Sequence, residues 1–469
     1  MIKLMEDKIR LNKQFLFGIT LVSAMGGLLF GYDYVVIGGA KPFYERFFDI
    51  TESAHLQGWA MSSALIGCLI GAGFSGYMSD RFGRKKPLIL SAILFTLSAI
   101  GTGAVSSFAP FVVYRLIGGL GIGLASALSP MYIAEVSPAA IRGRLVSINQ
   151  LTIVIGILSA QIINYLIAQE VPQDATDKMI LESWNGQMGW RWMFWAETFP
   201  AAAFLILSFF IPESPRFLVK ANNEIKALQV LSRVGGKEYA QDEVNNIRAT
   251  LQYGKVNIKI SELWSKKVRP VIIIGLVLAI FQQWCGINVI FNYAEEIFSA
   301  AGYSVSDMLL NIVITGIVNL VFTFVAMHTV DRWGRRKLMI IGSLGLAIIY
   351  LMLGGCYYFG LKGIPVLIMV ILAIAIYAMS LAPITWVVLS EIFPNRIRGV
   401  AMAVATTALW AACFVLTYTF PALNKALNAS GTFWVYAAVC MAGFLFISKK
   451  LPETKGKSLE EVEEILGVK

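Results

Sequence analysis

Charge is scarce in this sequence, and several kinds of chemistry are missing with it. Asp, Glu, Lys and Arg make up 14% of the 469 residues, against 57% hydrophobic residues, which is not the composition of a soluble domain. There are two histidines and five cysteines, without a CxxC spacing, so a metal site or a disulfide framework is not expected. No P-loop or Ser/His/Asp set is recognisable, and the sequence does not indicate an enzyme.

What the sequence has instead is long apolar segments. About twelve windows of roughly 18 to 25 residues can each cross a hydrocarbon core about 30 Å thick as a helix. No short apolar segment with a small-residue cleavage site precedes them, so we expect the first one to be retained. The fold class predicted is an all-α membrane protein. The predicted spans are 15–38, 58–78, 88–107, 109–133, 147–168, 191–211, 270–298, 308–330, 338–361, 365–389, 400–423 and 432–449.

Lys and Arg are concentrated in the short loops on one side of the predicted bundle. The sequences SDRFGRKK, IRGR, DRWGRRK and NRIRG occupy residues 79–86, 141–144, 331–337 and 395–399. The positive-inside rule then predicts a multi-pass protein of the cell (inner) membrane with both termini in the cytoplasm. The same rule explains the net charge of +10, so we expect a lipid bilayer and no nucleic acid as the partner.

Three motifs occur twice, in the same order. DRFGRKK begins at Asp80 and DRWGRRK at Asp331; AEVSPAAIRGR contains Glu135 and SEIFPNRIRGV contains Glu391; PESPR begins at residue 212 and PETKG at residue 452. Such a repeat predicts two six-helix halves with the same orientation. The predicted divisions are a first half (1–211), a cytoplasmic helical linker (212–268), a second half (269–450) and a cytoplasmic tail (451–469).

These motifs, with GGLLFGYD (26–33), FQQWCGIN (281–288) and PETKGKSLEE (452–461), closely resemble the sugar porter family of the major facilitator superfamily, and its proton-coupled, xylose-transporting members in particular. The resemblance implies a monosaccharide substrate and alternating access, in which the two halves rock around a central site. It implies the proton as coupling ion and no other cofactor. A monomer is expected.

Side chains suited to a sugar occur in several spans. Amides donate and accept hydrogen bonds, and an aromatic face can cover the C–H side of a sugar ring. On the seventh span Gln282 and Asn288 can share a broad helix face, with Gln283 pointing about 100° away. The alternative is that these amides only join helices. The substrate-binding residues predicted are Gln161, Gln282, Gln283, Asn288, Asn292, Asn319, Trp386 and Trp410.

Some positions depart from the xylose-transporting relatives. Those relatives have a glutamine at the position of Ile157, whereas facilitative glucose transporters have theirs where Gln161 stands. Leu381 replaces a tryptophan, and Leu409 replaces the glutamine before Trp410. We therefore expect a pocket that is less polar on its C-terminal side, and either a pentose or a hexose as substrate.

Asp33 is a carboxylate inside the otherwise apolar stretch FGYDYVVIGG. The family pairs this position with that of Arg115, and a purely structural ion pair is one interpretation. The favoured hypothesis is proton coupling, because a carboxylate whose surroundings change between outward-open and inward-open states can bind a proton on one side and release it on the other. Glu197 is a second ionisable candidate.

The repeated motifs place charged residues at predicted helix ends on the cytoplasmic side. Ion pairs that form in the outward-facing state and break in the inward-facing state would make a gate; the alternative is that these residues only set topology. The gate residues predicted are Asp80, Arg81, Arg84, Glu135, Arg142, Arg144, Asp331, Arg332, Arg335, Arg336, Glu391, Arg396 and Arg398.

The function predicted is proton-coupled symport of a monosaccharide. A facilitative uniporter or an exchanger on the same fold is the alternative. A non-transporting sugar sensor is a third hypothesis, but the segment after Pro452 is short for a signalling tail.

Overall fold

The computed structural model describes residues 11–172, 175–253, 265–394, 397–457 and 459–466. Regular structure in these residues is helical throughout. The helices are α1 Lys13–Phe47, α2 Ala54–Phe82, α3 Lys85–Ala104, α4 Phe108–Val136, α5 Arg142–Ile167, α6 Asp177–Glu182, α7 Trp190–Trp195, α8 Thr198–Ser208, α9 Pro215–Lys220, α10 Glu224–Tyr253, α11 Arg269–Trp284, α12 Ile287–Asn292, α13 Ala294–Ala300, α14 Val305–Trp333, α15 Arg335–Tyr358, α16 Ile364–Met379, α17 Leu381–Ile392, α18 Arg398–Lys450 and α19 Leu459–Ile465.

The spanning segments account for the twelve that the sequence predicts. Ten helical segments of the described chain are long and apolar enough to cross a membrane. One of them, α18, has 53 residues and passes through Asn428 in a non-helical conformation, so it comprises two membrane-length arms. The interval 190–208 supplies the remaining span as two short helices, α7 and α8. The predicted all-α membrane fold is confirmed.

Several predicted spans are interrupted, and proline or glycine is at each interruption. The span 365–389 breaks at Ser380, because Pro383 has no N–H and its ring would clash with a helical carbonyl four residues earlier. Pro200 has the same effect between α7 and α8. The span 270–298 breaks at Gly286, whose φ of +87° is left-handed, a conformation that glycine adopts without steric cost.

The first helix is longer than predicted. The apolar pattern ends near residue 38, but α1 continues to Phe47 and buries Lys41 and Glu45. These side chains form an ion pair with each other at 3.1 Å, so polar residues that indicate a loop in the sequence are accommodated inside the structure.

The two halves contact each other chiefly through two pairs of helices, and α1 also contacts α12 and α13. Helix α2 packs against α18, and α5 packs against α14. Within the first half, α1 lies along α5, and α2 crosses α4 at glycine-rich positions. These contacts bring α1 and the broken segment α11 to α13 to the middle of the bundle.

The described residues between the halves form two helices. Helices α9 and α10 pack together around a small apolar cluster of their own that includes Leu218, Leu231 and Val244. Helix α10 bends at Gly236. The tail helix α19 lies against α17 and buries Val462.

Candidate functional site

Asp33 and Arg115 meet in the interior of the first half. Each residue is 1% exposed. Arg115 Nη1 donates to Asp33 Oδ1, and Arg115 Nη2 donates to the Asp33 backbone carbonyl at 3.1 Å. Asp33 Oδ2 is buried without a hydrogen-bond partner in the described structure. One carboxylate oxygen is therefore held by the guanidinium, and the other is left without a donor.

Glu197 is the third ionisable group in this region. It is 1% exposed, with Oε1 buried and unpartnered in the described structure, and it is close enough to Asp33 and Arg115 to interact with both electrostatically. Its position follows from the break between α7 and α8, where it immediately precedes the first residue of α8. The three predicted proton-coupling residues are thus together, with two carboxyl groups to one cation.

The amides of the seventh span form a hydrogen-bonded chain. Gln282 Nε2 donates to the hydroxyl of Tyr377 at 2.7 Å, Gln283 Nε2 donates to Gln282 Oε1, and Asn288 Nδ2 donates to Gln283 Oε1. Asn288 Nδ2 also lies 3.7 Å from Cys413 Sγ. The chain therefore connects α16, α11, α12 and α18 across the second half.

The predicted direction of the Gln283 side chain is wrong. Gln283 does not point away from Gln282 and Asn288 but bridges them. The reason is the break at Gly286, since a regular 100° step no longer relates residue 283 to residue 288 once the helix has ended at Trp284. A Cβ at position 286 would lie 2.8 Å from the Tyr436 ring, so glycine is required there for space as well as for φ.

The remaining predicted amides are also buried. Asn292 Oδ1 and both polar atoms of Gln161 have no partner in the described structure. Gln161 lies at the contact of α5 with α14, against Gly316. Asn319 is 6% exposed on α14. Unpartnered buried polar atoms are costly, so the Gln161 amide and Asn292 Oδ1 are available for an additional hydrogen-bonding group.

The two predicted tryptophans differ in environment. Trp410 is 5% exposed and lies 5.8 Å from the Phe30 ring. Trp386 is 37% exposed, so its indole is not buried like that of Trp410. On α17 the buried residues recur at helical spacing from Leu381 to Ile392, and position 386 lies off that face.

The chain is similar to known proteins along nearly its whole length. The family model described as sugar (and other) transporter matches residues 19–466. The chain belongs to this sugar transporter family. The transporter is 42% identical to the D-xylose-proton symporter of Escherichia coli (strain K12), over 97% of this chain and 96% of that one. It is 37% identical to the arabinose-proton symporter of Bacillus subtilis (strain 168), over 95% and 94%. Among solved structures, it matches the inward-open conformation of the xylose transporter XylE from E. coli with a TM-score of 0.83 and 40% identity, covering 96% of this chain and 99% of that one.

The repeated motifs form equivalent structures at one end of the transporter, which we call the basic end because it carries the loops 79–86 and 331–337. In the first half Arg84 Nη2 lies 2.7 Å from Glu135 Oε1. In the second half Arg335 Nη2 lies 3.2 Å from Glu391 Oε1. Each pair joins two helices of the same half.

Two further carboxylates complete these structures, and the sequence analysis missed their role. Glu213 Oε1 accepts from the backbone N–H of Arg84 at 2.8 Å, and Glu453 Oε1 accepts from that of Arg335 at 2.9 Å. They belong to the repeated PESPR and PETKG motifs, so the signal was present in the repeat. Each caps a helix N-terminus, where an anion is favoured.

The other predicted gate residues are distributed around these pairs. Asp80 pairs with Lys220 at 2.8 Å, Arg81 lies over the Phe82 ring, and Arg336 Nη2 donates to the Ser448 carbonyl. Arg398 donates to the Phe393 carbonyl. Arg142, Arg144 and Arg332 are exposed. Arg396 and the side chain of Asp331 lie outside the described residues.

Burial alone would raise the pKa of Glu453, but hydrogen bonds from the backbone N–H groups of Lys455, Arg335, Arg336 and Thr454 outweigh burial, and its pKa is lowered. A carboxyl group with a lowered folded-state pKa stabilises the fold above its unfolded pKa and loses that contribution as pH falls through the folded value. The stabilisation by Glu453 is thus complete at neutral pH and declines below about pH 4.

Glu453→Gln is therefore expected to lower the Tm at pH 7 and to lower it by less near pH 3.5. The glutamine keeps the shape but removes the charge that the backbone N–H groups favour. Thermal unfolding in detergent at both pH values measures this, with Glu182→Gln as the control, because that side chain is 66% exposed. A Tm difference that is the same at both pH values would contradict the charge-based account.

At the opposite end, the two halves are in contact. Lys41 Nζ reaches Glu295 Oε2 at 3.0 Å, and the Tyr418 hydroxyl lies 2.5 Å from His55 Nδ1. In the middle, the Tyr34 hydroxyl lies 3.5 Å from Cys413 Sγ. The transporter is thus closed at the end away from the basic loops.

Proposed function

We propose that this protein is a proton-coupled monosaccharide symporter that works by alternating access. The observation that carries the proposal is the buried Asp33, with one oxygen held by Arg115 and the other without a donor. The Asp33 oxygen without a donor can accept a proton, and the surroundings of the carboxylate change if the halves move apart. The membership of the sugar transporter family and the names of the proton-coupled relatives support this assignment.

We further propose that the basic end faces the cytoplasm of a bacterial cell, in the inner membrane, with both termini on that side. The positive-inside rule supports this orientation. In that orientation the closed end is the outer one, and the conformation is the state from which sugar leaves toward the cytoplasm. The likeness to an inward-open structure agrees with this assignment.

The proposed sugar site comprises the hydrogen-bonded amides Gln282, Gln283 and Asn288 together with Gln161 and Asn292, which have unpartnered polar atoms. Amides can exchange their bonds within the chain for bonds to sugar hydroxyls. The proposed substrate-binding residues remain Gln161, Gln282, Gln283, Asn288, Asn292, Asn319, Trp386 and Trp410. The pairs at the basic end are proposed to hold each half rigid while the halves separate, and the transporter is proposed to act as a monomer.

Asn288→Ala and Gln282→Ala are expected to weaken sugar binding by about 1–3 kcal/mol each, which is about 5- to 150-fold in Kd. Each change removes a buried donor that we assign to a sugar hydroxyl. Isothermal titration of purified variants measures the effect. Asn164→Ala is the control, because Asn164 donates to the Val36 carbonyl and its loss should lower the Tm without changing Kd. Unchanged sugar affinity in both folded test variants would show that the sugar binds elsewhere.

Leu409→Gln is expected to raise affinity for pentoses relative to hexoses. Leu409 is 3% exposed beside Trp410, and glutamine restores the donor and acceptor of the xylose-transporting relatives. Titration with xylose, arabinose and several hexoses gives the ranking, and Leu409→Met controls for the change of shape. An unchanged ranking would place the pocket wall away from residue 409.

The symport assignment is tested by proton movement. Adding sugar outside proteoliposomes that contain the protein should make the outer medium more alkaline, because each sugar enters with a proton. A uniporter would admit the sugar without a pH change. The position of Gln161, which matches facilitative transporters, makes the uniporter the second candidate.

A further inference from the structure

Charged side chains are concentrated between the two halves at the closed end. Lys41 and Glu45 lie one turn apart on α1 and are 2% and 3% exposed. Lys41 Nζ lies 3.1 Å from Glu45 Oε2, 3.0 Å from Glu295 Oε2 and 2.8 Å from Glu296 Oε1. We call these four residues the Lys41 cluster. The cluster joins α1 of the first half to α13 of the second half.

The acceptors in the Lys41 cluster outnumber the donors. An ammonium group has three protons, and the three carboxylates use all of them. Gln57 Nε2 adds one donor at 3.1 Å, but it goes to Glu45 Oε2, which Lys41 already contacts. Glu45 Oε1 and Glu296 Oε2 are left buried without a partner in the described structure. A proton on one of these carboxyl groups would supply a missing donor.

The charges of the cluster do not balance either. Three carboxylates face Lys41, and a further cation, Arg46, lies 3.3 Å from Glu295 and 2.7 Å from the exposed Asp177. Lys425 and Glu52, one of each sign, line the same cleft as Glu296. The phenol groups of Tyr44 and Tyr293, which also face the cluster, donate to Met61 Sδ and to the Thr417 carbonyl. Buried negative charge in excess is costly, and a carboxylate in that position takes up a proton.

The two glutamates of α13, which lies beyond the span ending at Asn292, have pKa values that are shifted in opposite directions. Burial raises the pKa of Glu296; Lys41 opposes this, Glu295 adds to it, and the net pKa is raised. Burial also favours a raised pKa for Glu295, but the attraction to Lys41 and Arg46 outweighs burial, and the pKa of Glu295 is lowered. Glu295 therefore remains the ionised partner of the cations, which leaves the excess charge with Glu45 and Glu296.

We propose that Glu45 is a second proton-binding site, separate from Asp33, that takes up a proton from the outer side when the outer ends of the halves close. A cleft of about 250 Å³ lies beside it, lined by Thr51, Glu52, Gln57, Glu296, Asn424 and Lys425, and Gln57 donates to Glu45. The proton exchanges with the outer medium through this cleft. The proposal rests on the proposed function in requiring that this end opens and closes.

The direction of the effect follows from which carboxylates come together. When the outer ends separate, Glu295 and Glu296 move away with α13, whereas Lys41 stays one turn from Glu45 on the same helix. Glu45 is then ionised and paired with Lys41. The closed state binds one more proton than the open state, so lowering the outer pH favours closure, by up to tenfold in the closed-to-open ratio per pH unit.

The test is a distance measurement between spin labels across the closed end as a function of pH. Lys178→Cys and Lys362→Cys place labels on exposed positions of the two halves, in a Cys356→Ser background because the other four native cysteines are buried. From pH 8.5 to 5.5 the closed population should rise in the protein with Glu45 intact. The Glu45→Gln variant has no excess negative charge in the Lys41 cluster, so its outer end should be closed at every pH. Asp177→Asn, at a position 73% exposed, should keep the pH dependence.

Glu296→Gln provides an independent arm if Glu45→Gln does not fold. It removes one negative charge beside Glu45, so the midpoint of closure should move to lower pH by about one unit. The proposal is overturned if folded Glu45→Gln keeps the full pH dependence, if Glu296→Gln leaves the midpoint unchanged, or if Asp33→Asn abolishes the pH dependence in place of Glu45→Gln. Absence of sugar-driven proton movement in the unmodified protein would refute the proposed function and leave these distances interpretable on their own.

Discussion

Asp33→Asn is expected to abolish sugar accumulation driven by a pH gradient, down to the level of liposomes without protein, while sugar binding persists. Asparagine keeps the shape and can still accept from Arg115, but it cannot take up a proton at any accessible pH. The halves can still rock, so exchange of labelled for unlabelled sugar at equal pH should continue. Uptake in proteoliposomes with and without the gradient, together with Kd, measures the two properties separately.

The competing account of Asp33 predicts a different result. If its only role is to neutralise Arg115, the substitution leaves a buried guanidinium uncompensated and should lower stability by about 3–5 kcal/mol. The Tm in detergent is therefore measured on the same samples. Loss of folding with no separable transport defect would favour the structural role. Normal sugar accumulation by a folded Asp33→Asn protein would contradict the role in proton coupling. Glu197→Gln, beside the pair, is expected to reduce coupling to a smaller extent.

Gly119→Ala is the second substitution with a large expected effect. Helices α2 and α4 cross in backbone contact, and a Cβ at position 119 would overlap the carbonyl of Ala64. On the other helix, a Cβ at Gly67 would overlap the Leu116 carbonyl. Small residues four apart on facing helices are the usual means of such close approach in membranes.

The helices must separate to admit a methyl group at residue 119, because the obstructing atoms belong to the backbone and cannot rotate away. We expect a loss of about 3 kcal/mol, with a lower Tm and a lower yield of monodisperse protein. Gly73→Ala, on α2 where nothing lies within 4 Å of the added Cβ, should be neutral or slightly stabilising, since alanine favours a helix. Equal Tm values for the two variants would contradict this packing.

The fold was predictable because its determinants are properties of whole segments. Hydropathy over about 20 residues marks a spanning helix whatever its partners are, and three repeated motifs indicate duplication. Arg84 with Glu135, and Arg335 with Glu391, are equivalent pairs in the structure for the same reason. Within the site, the pairing of Asp33 with Arg115 was predicted from the resemblance to a family and not from any local pattern.

What could not be predicted depends on breaks in the helices and on contacts between distant segments. The left-handed Gly286 brings Gln283 between Gln282 and Asn288, which an unbroken helix would not do. Trp386 is half-exposed because the break at Ser380 starts a new helix with its own buried face. The Lys41 cluster joins residues about 250 positions apart, and each of its members looks like a loop residue at the end of an apolar segment.

The central claim is that a proton gradient drives sugar uptake through this protein. The most direct measurement is the final internal concentration of labelled xylose, arabinose and glucose in proteoliposomes with the outer medium acidified by one to two pH units. For at least one sugar, the internal concentration should exceed the external one and fall back to it when a protonophore is added. Uptake that stops at equal concentrations, with the same final level with and without the gradient, would contradict symport and identify a uniporter.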